Sequence, residues 1–561
     1  MARLETQGGV DESITIVKSD LKVSKWIQEL DCHSEEHNFL LKGITEGFKI
    51  TNIDKEIKSV ETDNYKSAID NKEAVENQIL TELEEGRYRI VNSPPKIISG
   101  LGAIKKDDSS VRIIHDCSKP EGNAVNNYAK LEYKIQYQTV QDACELVEKG
   151  DYMAKIDLKS AYRSVALHPS QYDFTGLKWT FQGEKTPTYM IDTRLPFGAR
   201  LSPSHFHRLS QAVKYMIQKR HIKVVTYLDD IFITAPTKKQ CTEHLNTVIA
   251  LLRDLGFSIA WKKIAGPVQN ITFLGIGIDS FEMKLYLPQE KVIAYTILLQ
   301  EYLQRPRASL RQLQRLAGIL SYASHVIKSG RTYQRHVLDL LRSVRRPHHK
   351  VLLHQEVKND IQWFINILHQ SNSAPIRKKF CEKTVVYTDA SQKGAGIVCN
   401  EDWCYIEWET DLPHINAKHI NIKETFAIIA AAYRWAPEWK DRSVVVYTDN
   451  MTARAAINKG RSTDDELLIH IRILYSMAHF YNFTIRCEHI KGSSNVLADS
   501  VSRLSERGHL MFWFSQLSQG TTYTLCDVYN WLIDHMSITS CASILSQAQK
   551  VIPWLRSWTE Q

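Results

Sequence analysis

Seven acidic residues in this chain stand where carboxylates could do chemistry. Asp229 and Asp230 lie side by side in Val224-Val225-Thr226-Tyr227-Leu228-Asp229-Asp230-Ile231-Phe232-Ile233-Thr234. Apolar, β-rich arms flank the pair, which predicts a hairpin with both acids at its bend. Asp is ordinary turn chemistry. Adjacent carboxylates at the end of buried strands nevertheless repel unless a cation screens them, so a magnesium site is the competing reading. Tyr152 to Ile156 predicts a short strand that delivers Asp157 to its end. Val385-Val386-Tyr387-Thr388-Asp389 and Val445-Val446-Tyr447-Thr448-Asp449 are near copies, each a strand ending in Asp. As neighbouring strands they would set the two acids side by side. Glu424 falls near the start of a helix running towards Trp435, and Asp499 near the start of one that Asn495 would cap. Singly, acids at such termini are common, because helix starts favour negative charge.

The elements that position these acids follow from pattern. Asp70 with Glu73 reads as a capping box opening a helix through Val75, Ile79 and Leu83 that Gly86 ends. Gly100 to Lys106 and Val111 to Ile114 read as a hairpin with Asp107-Asp108 at its tip; its cations Lys105, Lys106 and Arg112 could grip a triphosphate. A Gly/Pro loop, Leu195 to Pro203, precedes a helix from about Ser204 to Lys219, and another helix spans Lys238–Leu255. A strand-end Asp, a hairpin-tip Asp pair and helices between them predict a palm: an antiparallel sheet backed by helices, with three acids converging. Gly394-Ala395-Gly396 supports a hairpin after Asp389. A polar linker, 371–382, marks a new domain.

Composition sets limits. A chain of 561 residues needs several cores. No apolar run is long enough to span a bilayer, which predicts no membrane partner. The N-terminus lacks an apolar signal core, and the ten cysteines contain no CxxC pair, which predicts reduced thiols in an intracellular, cytoplasmic or nuclear protein. Cys32-His33 with His37 lacks a nearby fourth zinc ligand. Charge is concentrated: residues 301–350 hold eleven Lys/Arg against two acids, 11 − 2 = +9, leaving 8 − 9 = −1 for the rest. A one-signed segment of that length predicts a polyanion partner. Four tryptophans (Trp513, Trp531, Trp554, Trp558) predict that residues 506–561 fold.

Lys155-Ile156-Asp157-Leu158-Lys159-Ser160-Ala161-Tyr162, Leu195-Pro196-Phe197-Gly198, Tyr227-Leu228-Asp229-Asp230 and Phe273-Leu274-Gly275 occur in the order and spacing of retroelement reverse transcriptases, and over roughly 75–505 the chain resembles that family. Gly47-Phe48, Ala317 to Ser324 and Gly330-Arg331 look most like DIRS-like, tyrosine-recombinase retrotransposons, related to the Ty3/gypsy and caulimovirus lineage. The set Asp389, Glu424, Asp449 and Asp499, with Asn495-Val496-Leu497-Ala498-Asp499, resembles the four-carboxylate site of ribonucleases H.

The resemblance implies a multidomain α+β chain: a right-hand polymerase with fingers, palm, thumb and connection, then an α/β ribonuclease H-like domain. The expected divisions are an N-terminal extension (1–74), fingers and palm (75–280), basic thumb and connection (281–370), linker (371–382), nuclease-like domain (383–505) and a tail of unknown role (506–561). It implies that Asp157, Asp229 and Asp230 hold two magnesium ions (manganese being the alternative), and that Asp389, Glu424, Asp449 and Asp499 hold two more. Lys105 or Lys106, with Arg112, would contact the incoming triphosphate, and Lys262 or Lys263 would lie near the phosphates. Tyr162 would be the aromatic gate against a ribose 2′-hydroxyl. Phe197 stands where retroviral enzymes carry Gln. Implied partners are an RNA template, a DNA primer, an RNA–DNA hybrid and deoxynucleoside triphosphates. An element-encoded recombinase could follow, with the tail as its beginning. One departure from bacterial ribonucleases H is the short Lys491 to Asn495 loop, which lacks their His; His489 lies upstream. The rival function is a domesticated or decayed copy that binds nucleic acid without catalysis.

Overall fold

The computed structural model describes residues 19–504, apart from 31–33, 107–109, 132–133, 345, 347–348, 371, 377–382 and 401, together with Thr521–Thr522. The predicted tip Asp107-Asp108, the Cys32-His33 pair and the tail tryptophans lie outside the described residues. Two compact units divide the chain: Met1–Leu274 with Ile278–Glu282, and Gly275–Gly277 with Met283–Gln561.

In the first unit, a four-stranded antiparallel sheet runs in the order Ala265–Val268, Tyr152–Asp157, Asp230–Ala235, Lys223–Tyr227. Ile231 to Ala235 are all buried, which is why this strand reads as a continuous apolar run rather than an alternating one. Two amphipathic helices, Ser202–Gln218 and Lys238–Leu255, cover the sheet; Phe206, Leu209, Val213, Met216, Val248, Leu251 and Leu252 join Ala154, Ile156, Val224, Ile231 and Ile233 in one core. Pro203 falls in the first turn of its helix, where a missing N–H costs nothing, so that helix starts slightly before the expected residue.

Described residues between Val23 and Ile50 belong to the same core. Helices Val23–Glu29 and Glu35–Glu46 bring in Trp26, Leu40 and Ile44, followed by Phe48 and Ile50, and the Trp26 indole N–H donates to the Leu255 carbonyl (3.0 Å). The capping box expected at Asp70 does not form. A short helix, Lys66–Ile69, ends there, and the next one, Lys72–Glu84, starts after Asn71 without a side-chain cap. Its Val75 and Ile79 do pack, against Tyr88, Leu101, Val111, Ile113 and Trp179. The hairpin Leu101–Lys105/Val111–His115 is antiparallel, as its pattern predicts.

The second unit contains a mixed sheet in the order Thr484–His489, Ser443–Thr448, Lys383–Ala390, Gly394–Cys399, Asp402–Glu407, Thr521–Thr522. The near-copy strands are parallel neighbours, with Val386 opposite Val446 and Tyr387 opposite Tyr447. Helices Ile420–Trp435 and Asp465–Phe480 bury Phe426, Ile428, Ile429, Ile471 and Leu474 in the core beside it.

The segments on either side of the expected linker share structure. Ser373–Pro375 pairs antiparallel with Lys284–Tyr286. Asp360, on helix Gln355–Gln370, is fully buried and accepts from Arg472 Nη2 (2.7 Å) while its other oxygen meets His336 Nδ1 (2.8 Å). The Arg472 guanidinium also lies over Tyr333 (4.2 Å), which stacks on Trp363 (3.8 Å). Removing one member of a buried charge pair strands the other. Asp360→Ala is therefore expected to destabilise this unit by about 3–5 kcal/mol, read as a drop in its thermal midpoint.

Candidate active sites

The first site is built on the Tyr227–Asp230 bend. Tyr227 and Asp230 pair across a two-residue turn, with Leu228 at φ +52°. A left-handed conformation costs a Leu about 1–2 kcal/mol, so the sheet holds the bend in a shape its residues do not prefer. On the next strand Asp157 lies opposite Asp230 in register, and the Leu158 N–H donates to the Asp229 carbonyl (3.1 Å). Three acids thus gather at one sheet end. Burial first, then the charges of Asp229 and Asp157, push the Asp230 carboxyl up to about 6; burial raises Asp229 as well. The Lys263 ammonium bridges both Asp157 oxygens (3.1 and 3.0 Å), placed there by a 3-10 turn anchored through the Ala260 N–H on the Asp157 carbonyl (2.9 Å).

Two of these acids, Asp157 and Asp229, open on a 610 Å³ cavity. Lys106, Arg112, Tyr162, Phe197, Asp157, Asp229 and Lys263 line it; Lys105 and Lys262 do not. The hairpin alternation sends Lys106 rather than Lys105 inward, and the 3-10 turn does the same for Lys263 rather than Lys262. Tyr162 stacks on Phe197 (5.0 Å, 17°), and the Arg112 guanidinium covers the Phe197 ring (5.1 Å). Gly198, at φ +130°, allows this packing: a Cβ there would meet the His115 carbonyl at 1.9 Å.

In the second unit, Asp389, Glu424 and Asp449 each offer an oxygen within 4.8 Å of the others. Parallel pairing of their strands brings Asp389 and Asp449 together, and Asn450 caps the following helix through Thr452 N–H and Ala453 N–H (both 2.9 Å). Burial, then Asp389 and Asp449, push Glu424 up to about 9; burial, then Asp499 and Asp449, offset in part by a Ser502 hydrogen bond, push Asp389 up to about 6. One Glu424 oxygen accepts from Ala390, while the buried Oε2 has no hydrogen-bond partner among the described residues. An orphaned carboxylate oxygen facing two further acids suits a hard divalent cation. Asp499 is not in this threesome, and its Oδ1 holds Arg503 Nε (2.9 Å).

Asn495 stands at the N-cap position, but its Nδ2 donates to the Thr388 carbonyl (3.0 Å), tying the helix to the strand instead of capping it. Gly396 permits that docking, since a Cβ would lie 2.2 Å from the Ala498 carbonyl. Pattern reading missed Ser502, whose hydroxyl donates to Asp389 Oδ2 (2.7 Å), although its helical spacing from Asp499 was available as a signal. It also missed Arg163, which no local signal in the mixed Leu158 to Ser164 segment marks as buried. A 560 Å³ groove is lined by Arg335, Arg342, Lys459 and Arg461 with Asn421 and Thr452, and also by Asp464 and by Asp339, which accepts from Arg335 Nε (3.2 Å) and Arg342 Nη1 (2.9 Å).

Residues 104–278 match the family described as reverse transcriptase (RNA-dependent DNA polymerase), so the first site lies in a reverse transcriptase domain. The chain has homologues among retroelement polyproteins. It is 27% identical over 396 residues to the enzymatic polyprotein of cauliflower mosaic virus (strain Strasbourg), covering 66% of this chain and 54% of that one. It is 22% identical over 467 residues to the retrovirus-related Pol polyprotein from transposon 412 of Drosophila melanogaster, covering 80% and 34%. The chain thus spans about half or less of the length of these relatives. The fold resembles that of a foamy viral protease-reverse transcriptase solved with double-stranded DNA, at a TM-score of 0.51 and 17% identity over 83% of this chain and 81% of that one. No described helix is long and apolar enough to cross a membrane.

Proposed function

We propose that this chain is the polymerase and nuclease portion of a retrotransposon polyprotein. It copies an RNA template from a DNA primer with deoxynucleoside triphosphates, and it cleaves the RNA strand of the resulting hybrid. The observation that carries the reading is the gathering of Asp157, Asp229 and Asp230 at one sheet end, where Asp157 and Asp229 line a cavity with Lys106, Arg112 and Lys263, inside the matched stretch. Asp157, Asp229 and Asp230 would hold two magnesium ions, manganese being the alternative; Asp389, Glu424 and Asp449 would hold two more, with Asp499 joining once Arg503 releases it. Bound there, the ions supply Lewis acidity to the attacking and leaving oxygens of a phosphoryl group.

The chain's own groups do the rest. Lys106, Arg112 and Lys263 neutralise and orient a triphosphate. Tyr162, braced by Phe197, closes the space a 2′-hydroxyl would occupy. On this reading the chain is a right-hand polymerase followed by a ribonuclease H-like domain, with the stretch from Val23 to Ile50 counted in the polymerase core and Ser373–Pro375 paired back onto Lys284–Tyr286. Lys459 and Arg461 in the groove, beside the Asp339-paired Arg335 and Arg342, support a grip on hybrid phosphates without base reading. A DIRS-like origin rests on Gly47-Phe48 and the Ala317 to Ser324 stretch, and it leaves a separate recombinase as a partner.

Two assays of the full chain test the proposal: primer extension on an RNA template, and cleavage of end-labelled RNA in a hybrid, each with magnesium and with chelator. Magnesium-dependent product in both is the expected result. Hybrid binding with neither product overturns it in favour of a chain that binds without catalysis.

A further inference from the structure

The wall of the polymerase cavity contains a buried charge network that the proposed chemistry does not use. Arg163 follows Tyr162 in the turn Ala161–Ser164 and is 5% exposed. Its Nε and Nη2 both donate to Glu82 Oε2 (3.0 and 2.8 Å), and its Nη1 donates to Asp192 Oδ2 (2.7 Å) and, more weakly, to the Leu195 carbonyl (3.5 Å). Its guanidinium faces the Tyr88 ring (5.4 Å). Glu82 is held in turn by Gln78 Nε2 (3.0 Å), and Asp192 by the Arg194 N–H (2.9 Å). Glu82, Tyr88, His115, Arg163 and Asp192 all line the cavity.

On the Asp192 and Leu195 side, the segments this guanidinium touches lead to residues that would meet a nucleotide, while Glu82 anchors it to the helix Lys72–Glu84. Tyr162 is its chain neighbour. Leu195 begins the loop holding Phe197. Asp192 lies 3.7 Å from His115 Nε2, on the strand that carries Arg112, and the His115 N–H donates to the Phe197 carbonyl (2.8 Å). Arg163 thus reaches the stacked column of Arg112, Phe197 and Tyr162 through the chain itself, through Leu195 and through Asp192 and His115, while Phe206 packs against Tyr162 (5.3 Å). Buried charge networks contribute little to net stability, because desolvation offsets attraction. What a forked, planar donor does supply is fixed geometry between two carboxylates on separate elements, which a lysine ammonium cannot reproduce.

We propose that Arg163, clamped by Glu82 and Asp192, is a positioning residue that sets the stance of Tyr162, Phe197 and Arg112, and so the strictness with which the cavity separates deoxyribonucleotides from ribonucleotides. The inference rests on the reading of this cavity as the deoxynucleotide site. The test measures kcat and KM for deoxy- and ribonucleoside triphosphates in RNA-templated extension, using the full chain and its Arg163→Lys and Glu82→Gln variants. Misplacing a gate by a fraction of an ångström is expected to raise the deoxynucleotide KM, and to lower discrimination against ribonucleotides, each by on the order of tenfold. Hybrid cleavage in the same preparations is expected to stay at the unmutated rate. Should Arg163→Lys fail to fold, Glu82→Gln carries the test, since it keeps the volume and leaves Asp192 on Arg163. Unchanged discrimination in a folded variant, whatever its thermal midpoint, assigns the network a purely structural role and overturns the inference. An unmutated chain that extends no primer overturns the cavity reading and this inference with it.

Discussion

Asp229→Asn is expected to lower RNA-templated primer extension by about 10³-fold or more, while hybrid cleavage continues at the unmutated rate. The substitution keeps volume and removes one negative charge from three that share the end of a sheet. That charge is what the neighbours feel: it helps push Asp230 up to about 6, and Asp157 already requires the Lys263 ammonium at 3.0 Å. Two cations that would face three carboxylates would face only two, and the amide would present a neutral carbonyl. Leu228 keeps its strained φ of +52° in the variant, because the strand pairing of Tyr227 with Asp230 imposes it. The loss should therefore fall on catalysis with little change in thermal midpoint. Equal extension by both proteins would sink the assignment of this bend as the polymerase centre.

Glu424→Gln should do the reverse, removing cleavage by a comparable factor and sparing extension, and it should also change how stability depends on pH. Glu424 is buried against Asp389 and Asp449, and its carboxyl is raised from an ordinary 4.5 to about 9. A raised acid holds its proton in the folded chain at a pH where the unfolded chain has lost it. In the absence of magnesium, stability is then greatest below about 4.5 and falls as pH rises towards 9, with a slope of at most about 1.4 kcal/mol per unit from this group. A divalent cation replaces that proton, so magnesium should raise the thermal midpoint more at pH 8 than at pH 5, and its apparent affinity should increase with pH. Glu424→Gln should flatten the metal-free pH dependence and abolish the magnesium shift contributed by this site. Thermal melts at the two pH values, with and without chelator, measure both. A magnesium shift identical in the variant would remove Glu424 from the metal-binding set.

Much of this was legible in the chain itself, wherever the signal was local. Apolar arms around Asp229 and Asp230 can do little but pair, and Tyr227 and Asp230 do pair. The doubled Val-Val-Tyr-Thr-Asp run implied adjacent strands, and Val386 stands opposite Val446. The helix Lys238–Leu255 was expected at those residues. Local signals failed where a distant partner competed for the same group. Asn495 has the side chain of a cap, yet Thr388 takes its amide. Asp70 has the spacing of a capping box, yet a preceding short helix already ends there. The polar stretch before residue 75 hid Trp26, Leu40 and Ile44, whose spacing is meaningful only beside the helices Ser202–Gln218 and Lys238–Leu255 they pack against.

From the sequence alone came which residues could react and in what order they occur, because strand alternation, turn chemistry and the placing of acids at element ends are properties of neighbouring residues. Only the tertiary structure decided that Lys106 and Lys263, not Lys105 and Lys262, reach the cavity, that Asp499 lies near Asp389 yet outside the 4.8 Å threesome and pairs with Arg503, and that Arg163 joins Glu82 to Asp192. Those outcomes depend on one-residue differences in facing and on pairs far apart in the chain. Their energies exist only once the segments have been brought together.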